Sequence, residues 1–123
     1  MDSRELRIGN LLDRGDYICE VKMIEEEGLM LEPINYKEEI FVERYIKPIP
    51  LTEDWLIKLG FFEKYGSCYN RWNIKLFTLI DSEDDDGNLK GEFIFNGTLE
   101  VKYVHQLQNL YFALTNEELK YNG

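Results

Sequence analysis

Between residues 7 and 46 apolar and polar positions alternate in short runs separated by turn-forming residues, which is the pattern of half-buried β-strands. Four runs carry it: Arg7–Leu12, Tyr17–Ile24, Leu29–Glu32 and Ile40–Ile46. The segments between them, 13–16, 25–28 and 33–39, supply the Gly, Asp, Asn and Pro that turns require. In the second run Tyr17, Cys19, Val21 and Met23 share one face and Ile18, Glu20, Lys22 and Ile24 the other, so one face is predicted to pack and the other to meet water. Four short strands at this spacing predict a small barrel.

The pattern breaks at Ile46–Phe61. Pro48 and Pro50 cannot donate ladder hydrogen bonds and hold the chain extended, so the strand series ends there. A helix is predicted to follow at once. Thr52 is an N-cap residue, Glu53 and Asp54 place negative charge on the first-turn N–H groups, Leu51 can staple onto Leu56, and Gly60 ends the helix. Beyond it, Trp72–Ile80 reads as one long strand and 81–88 as an acidic loop. Asn96-Gly97 is a type I′ hairpin signal joining Gly91–Phe95 to Thr98–Tyr103, which completes a three-stranded meander. From Tyr103 to Leu114 the period becomes helical: Tyr103, Leu107, Leu110, Tyr111 and Leu114 share a face, with His105, Gln106, Gln108 and Asn109 on the polar side and Asn116 as a left-handed cap. Residues 117–121 are expected to form an edge strand or a frayed turn.

The predicted class is therefore α+β: an N-terminal SH3-like β-barrel (1–50), a junction helix (51–61), and an antiparallel meander with a C-terminal helix packed on it (62–123). With 123 residues the two halves are expected to form one compact domain. Trp55, Phe61, Phe62 and Trp72 crowd toward the junction and are the candidate seam.

Composition then narrows the chemistry. The chain carries 24 acidic against 14 basic side chains, a formal charge of −10, which argues against neutralising phosphates and hence against direct nucleic-acid binding. No run approaches membrane-span length, and a cytoplasmic protein is expected. Cys19 and Cys68 lie far apart in a chain with one His, so no metal set forms and two reduced, mostly buried thiols are predicted. Asp81-Ser-Glu-Asp-Asp-Asp86 before Gly87 has the look of a calcium loop, but in that register Ser82 takes the first ligand position and Phe93 the twelfth. His105 alone titrates near neutrality, the serines 3, 67 and 82 lack a nucleophile-elbow context, and no phosphate-cradling glycine motif is present. The reading is a non-enzyme with no catalytic, cofactor or metal residues. Asn96-Gly97-Thr98 fits a glycosylation sequon, yet the turn suffices to explain it.

Two resemblances add context. Ile8-Gly-Asn-Leu-Leu, the run from Gly15 to Ile24 and Gly28-Leu-Met-Leu resemble the opening of SH3-like barrels of the KOW type, which implies the barrel shape alone. Glu5-Leu-Arg-Ile-Gly-Asn10, Ile46–Phe61 and Lys102–Leu119 resemble a family of small phage and prophage proteins without assigned activity, so the resemblance transfers no functional residue. It implies an early phage gene product that binds a bacterial protein. The leading expectation is a cytoplasmic inhibitor of a basic host nucleic-acid enzyme, an anti-CRISPR protein being its most concrete form. Its contacts would come from two acidic clusters that imitate phosphate, Asp81, Glu83, Asp84, Asp85 and Asp86 with Glu25, Glu26 and Glu27. The alternatives are a structural or assembly module of a mobile element, with homodimerisation within reach, and a KOW-like nucleic-acid module.

Overall fold

A computed structural model describes residues 5–15, 17–26, 28–34, 41–43, 46–66 and 68–122. The protein is α+β, with antiparallel sheets and, among the described residues, two helices. It divides into two compact units, Met1–Ile49 with Tyr103–Asn109, and Pro50–Lys102 with Leu110–Gly123. Among the described residues no helix is long and apolar enough to cross a membrane.

The first unit is a four-stranded sheet in the order β1-β2-β3-β4, made of β1 (Leu11–Asp13), β2 (Ile18–Glu25), β3 (Gly28–Pro33) and β4 (Phe41–Glu43). It is an open sheet. Its core is Leu12, Cys19, Val21, Leu29 and Leu31, with Leu6, Tyr17 and Ile46 packed against it. The alternation read from β2 holds only halfway. Val21 pairs with Leu31 but Met23 pairs with Met30, so Lys22 is an extra residue in the ladder. Past the bulge both faces of β2 meet solvent, Ile24 being 40% exposed as well. Met23, expected inside, is accordingly 47% exposed. The first predicted strand also starts late, because residues 7–10 form a turn in which the Asn10 N–H donates to Arg7 O at 3.0 Å and the Arg7 N–H to Asn10 Oδ1 at 2.7 Å. Gly9 takes φ 98° there. The predicted strand ends Ile40, Arg44 and Tyr45 lie outside the described residues, as do the turn residues Asp16 and 35–39.

The second unit contains α1 (Glu53–Lys58) and a five-stranded antiparallel sheet of β5 (Phe62–Tyr65), β6 (Tyr69–Ile74), β7 (Phe77–Ser82), β8 (Phe93–Phe95) and β9 (Leu99–Val101), in chain order. The predicted helix signals act as read. Thr52 Oγ1 accepts the Trp55 N–H at 3.3 Å. At the other end Phe61 N–H donates to Leu56 O and Gly60 N–H to Ile57 O, a Schellman closure with Gly60 at φ 92°. Buried Leu56 and Phe61 supply the apolar contact positions that go with it.

The strand predicted over 72–80 is two strands. Ile74 pairs with Phe77 around Lys75 and Leu76, and Lys75 sits at φ 52°. No Gly, Pro or Asn marks this hairpin, so the apolar run hid it. The meander has five strands where three were expected. Asn96 (φ 55°) and Gly97 (φ 79°) make the β8–β9 turn as read. On the packed face, Phe77 meets Phe95 stacked at 4.6 Å and Phe61 and Tyr111 edge-on at 6.1 and 5.5 Å.

Helix α2 (Val104–Thr115) contributes residues 104–109 to the first unit and 110–115 to the second, and Asn116 closes it at φ 59°. Residues 117–122 form neither strand nor helix. They lie as a docked tail in the second unit, with Leu119 buried, the Tyr121 ring 5.6 Å from Trp55, and the Asn122 N–H on Lys58 O at 2.7 Å.

Candidate functional site

The acidic segment after β7 is a built loop. Asp81, opposite Asn70 in the sheet, is fully buried, and its two carboxylate oxygens accept the Gly91 N–H at 3.0 and 3.2 Å. Burial raises its pKa, while N–H groups of residues 90–92 pull it back. Asp84 Oδ1 accepts the N–H groups of Asp86 and Asn88 at 2.9 and 3.0 Å, and Gly87, at φ 82°, donates to Asp84 O. Glu83 bridges Leu89 across the loop. Both oxygens of Asp81 and Oδ1 of Asp84 are thus engaged by the loop's own backbone. Asp84, Asp85 and Asp86 are exposed and Glu83 is half-buried. Among the described residues no group of three metal-ligating side chains forms.

A second cluster of carboxylates lies on the packed side of the same sheet. Glu63 on β5 stands directly opposite Trp72 on β6, and its Oε2 accepts Asn70 Nδ2 at 2.6 Å. Glu53, in the first turn of α1, has its pKa raised first by burial and then by Glu63 and Asp81. Tyr65 is raised by its hydrogen bond to Glu63. Trp72 is buried and its indole Nε1 has no hydrogen-bond partner among the described residues. Ile57, Gly60, Phe61, Phe62, Glu63 and Trp72 line one cavity of about 360 Å³.

No family model, no curated protein and no solved structure matches the chain.

Glu25 ends β2 and Glu26 follows it, both exposed at a hairpin tip of the first unit, and Glu27 lies outside the described residues. Trp55, Phe61, Phe62 and Trp72 all belong to the second unit. Phe61 and Trp72 are buried there, Trp55 is half-buried and Phe62 is 77% exposed. Cys19 is buried, with its thiol donating to Tyr17 O, whereas Cys68 is exposed at the β5–β6 turn, contrary to the expected burial. Ser82 is exposed at the end of β7, and Ser3 and Ser67 lie outside the described residues.

Sequence reasoning missed a polar clamp in the first unit. Two of the four positions assigned to the water face of α2 are buried, His105 at 1% and Gln108 at 2% exposed, and Gln106 and Asn109 are half-buried. Gln108 Oε1 accepts the Leu11 N–H at 2.8 Å and its Nε2 donates to Gly9 O at 3.1 Å. Asn109 Oδ1 accepts from Asn10 Nδ2 and Arg7 Nε, and its own Nδ2 donates to Glu5 O. The helix therefore grips the segment 5–11 through side-chain amides. The signal available was the run of three amides, Gln106, Gln108 and Asn109, in which no charged residue stands.

Beside the clamp, His105 stacks on Tyr103 at 5.9 Å and has Nε2 3.7 Å from Glu5 Oε2, and among the described residues neither ring nitrogen has a hydrogen-bond partner. Burial lowers its pKa from 6.5, against the opposing pull of Glu5. A lowered pKa means the unfolded chain takes up the proton first. Stability is then complete above 6.5 and is lost as pH falls from there toward the folded value. The expected result is that denaturant midpoints at pH 7.5 and 5.5 differ more in the wild type than in His105→Phe. Equal differences in the two proteins would show that the ring is not held neutral by folding.

Proposed function

We propose that the chain is a non-catalytic binding protein that occupies the phosphate-binding surface of a basic nucleic-acid enzyme in a bacterial host. The observation that carries this reading is the framed loop. Because Asp81 and Asp84 fix its backbone, Glu83, Asp85 and Asp86 present negative charge from a shaped support, which lowers the ordering cost of binding. Both units are acidic, each holding 12 acidic against 7 basic residues, so the whole field steers a cationic surface toward the protein. The likeness to small phage proteins supports an inhibitory role, of which an anti-CRISPR protein is one form, and a cytoplasmic location in the host.

The test is a pull-down from host lysate with the wild type and a triple variant, Glu83→Gln, Asp85→Asn, Asp86→Asn, that leaves the loop frame intact. Expected is capture of a basic nucleic-acid enzyme that the purified chain inhibits, with binding weakened on the order of tenfold in the variant and by added salt. Capture and inhibition untouched by the triple variant would sink the electrostatic reading.

A second reading, an assembly module, is favoured by one feature. Leu76 is fully exposed and Leu114 largely so, beside an apolar cavity of about 350 Å³ that Phe77, Phe95 and Tyr111 help to line. Light scattering separates the two, since a closed oligomer without a host partner belongs to assembly. The barrel reading of the first unit draws support from Asp13 and Lys47, whose N–H and C=O groups exchange two 3.0 Å bonds and return the chain to the β1 edge.

A further inference from the structure

Leu76, the second residue of the β6–β7 turn, is fully exposed and borders the cavity of about 350 Å³ that Phe77, Phe95, Tyr111 and Leu114 help to line. Leu114 is 57% exposed. Leu99 stands directly opposite Phe95 on the same face of the sheet and is 50% exposed, so it extends the apolar surface. One solvated leucine is ordinary, but three next to one apolar cavity mark a face that is covered in use. Among the described residues the charged groups lining this cavity are Lys75 and Glu117, which pair with each other. The patch is therefore neutral on a chain of formal charge −10. That neutrality bears on the occupant. A basic partner is drawn to carboxylates and gains nothing electrostatic here, whereas a second copy, repelled by the acidic remainder of the surface, approaches best where that charge is absent.

The patch is also complementary to itself. It carries an apolar projection and an apolar cavity side by side, and in a two-fold interface each copy must offer what it receives. A cavity of about 150 Å³ already admits benzene, so this one has room for a leucine side chain. We infer that two copies of the chain associate through this face, the Leu76 side chain of each entering the cavity of the other. The inference deepens the assembly reading and rests on it for the occupant being a copy of this chain. Leu76 is presented by a closed turn, Ile74 pairing with Phe77 around Lys75 at φ 52°, so the projection is shaped before contact and little ordering cost remains. The acidic loop follows the other end of β7, the six residues Phe77–Ser82 away, which is roughly 20 Å at the rise of a strand. Association at Leu76 therefore leaves the loop of each copy open.

The test is sedimentation equilibrium of the full chain across the micromolar range at two salt concentrations. Expected is a monomer–dimer equilibrium with a dissociation constant on the order of 50 μM, the strength of a small interface, which tightens as salt screens the like charges of the two copies. Leu76→Ser should weaken it about a hundredfold, since two leucines leave each dimer, and should not move the thermal midpoint of the dilute monomer, because a fully exposed side chain supports no packing. Leu114→Lys sets a charge at the cavity and should weaken it similarly. Neither variant can then serve a copy of itself, but one keeps the cavity and the other keeps the leucine. An equimolar mixture of the two should associate more tightly than either alone. A chain that stays monomeric throughout overturns the inference, and if host capture is then lost in Leu76→Ser the face belongs to the host partner. A closed oligomer that persists unchanged in Leu76→Ser leaves the assembly reading standing and this site disproved. A dimer lost in Leu76→Ser, while that same variant still captures and inhibits a host enzyme, leaves the site standing and the assembly reading disproved.

Discussion

Phe77→Ala is expected to destabilise the second unit by about 4 kcal/mol, the range for deleting a buried phenylalanine. The ring is 5% exposed and meets three others: Phe95 in a stack, Phe61 and Tyr111 by their edges. Removing it forfeits the apolar burial and about 0.5–1.5 kcal/mol of geometric preference for each aromatic pair, and it leaves a void whose walls are themselves rigid rings that relax poorly. Phe77→Leu refills most of that volume and should cost about half as much. Guanidinium unfolding followed by tryptophan fluorescence checks both, because the two tryptophans, Trp55 and Trp72, are in this unit. A negligible loss for Phe77→Leu beside the full loss for Phe77→Ala would mean that the aromatic cluster contributes only area.

Local signals were legible wherever a residue type was bound to a backbone geometry. Thr52 and Gly60 bracket α1, Asn96-Gly97 makes the hairpin turn, and Asn116 closes α2, each because its side chain, or the lack of one, fits the required dihedrals. What escaped was set by partners distant in sequence. Lys22 is extra only because Met30 and Leu31 are matched to Met23 and Val21, so nothing within β2 marks the bulge. Lys75 adopts a left-handed turn because strong strands on both sides, Tyr69–Ile74 and Phe77–Ser82, gain more from pairing than one non-glycine residue loses by strain. The return of Tyr103–Asn109 to the first unit has the same character, since a helical period says which face is apolar but not what a polar face will touch.

The acidic segment illustrates the limit for the candidate site. Its composition was plain, but the division of labour inside it was not. Asp81 belongs to a strand and Asp84 to a turn, and each is occupied by backbone N–H groups that only the folded loop brings to it. Buried Asp81 is therefore withdrawn from a partner, and the charge on offer falls to exposed Asp84, Asp85 and Asp86 with half-buried Glu83. Trp72 was legible as an interior residue and illegible as a donor, because the missing acceptor is a property of its surroundings.

Gln108→Ala should lower the stability of the first unit by about 3 kcal/mol, through unsatisfied backbone groups more than through lost volume. β1 is an edge strand, and edges carry N–H and C=O groups that need cover. Lys47 satisfies Asp13, and Gln108 takes the Leu11 N–H and supplies a donor to Gly9 O. Truncating the amide strands one buried donor and one acceptor together, at about 1–3 kcal/mol each before any water enters. The discriminating variant is Gln108→Leu, which keeps nearly the same volume and removes both bonds. If the clamp works by hydrogen bonding, Leu should be as damaging as Ala in urea unfolding, and the Leu11 amide should lose hydrogen-exchange protection in both. Recovery of most of the stability by Leu would instead make Gln108 a packing residue, and the segment 5–11 would be held by Asn109, Asn10 and Arg7 without it.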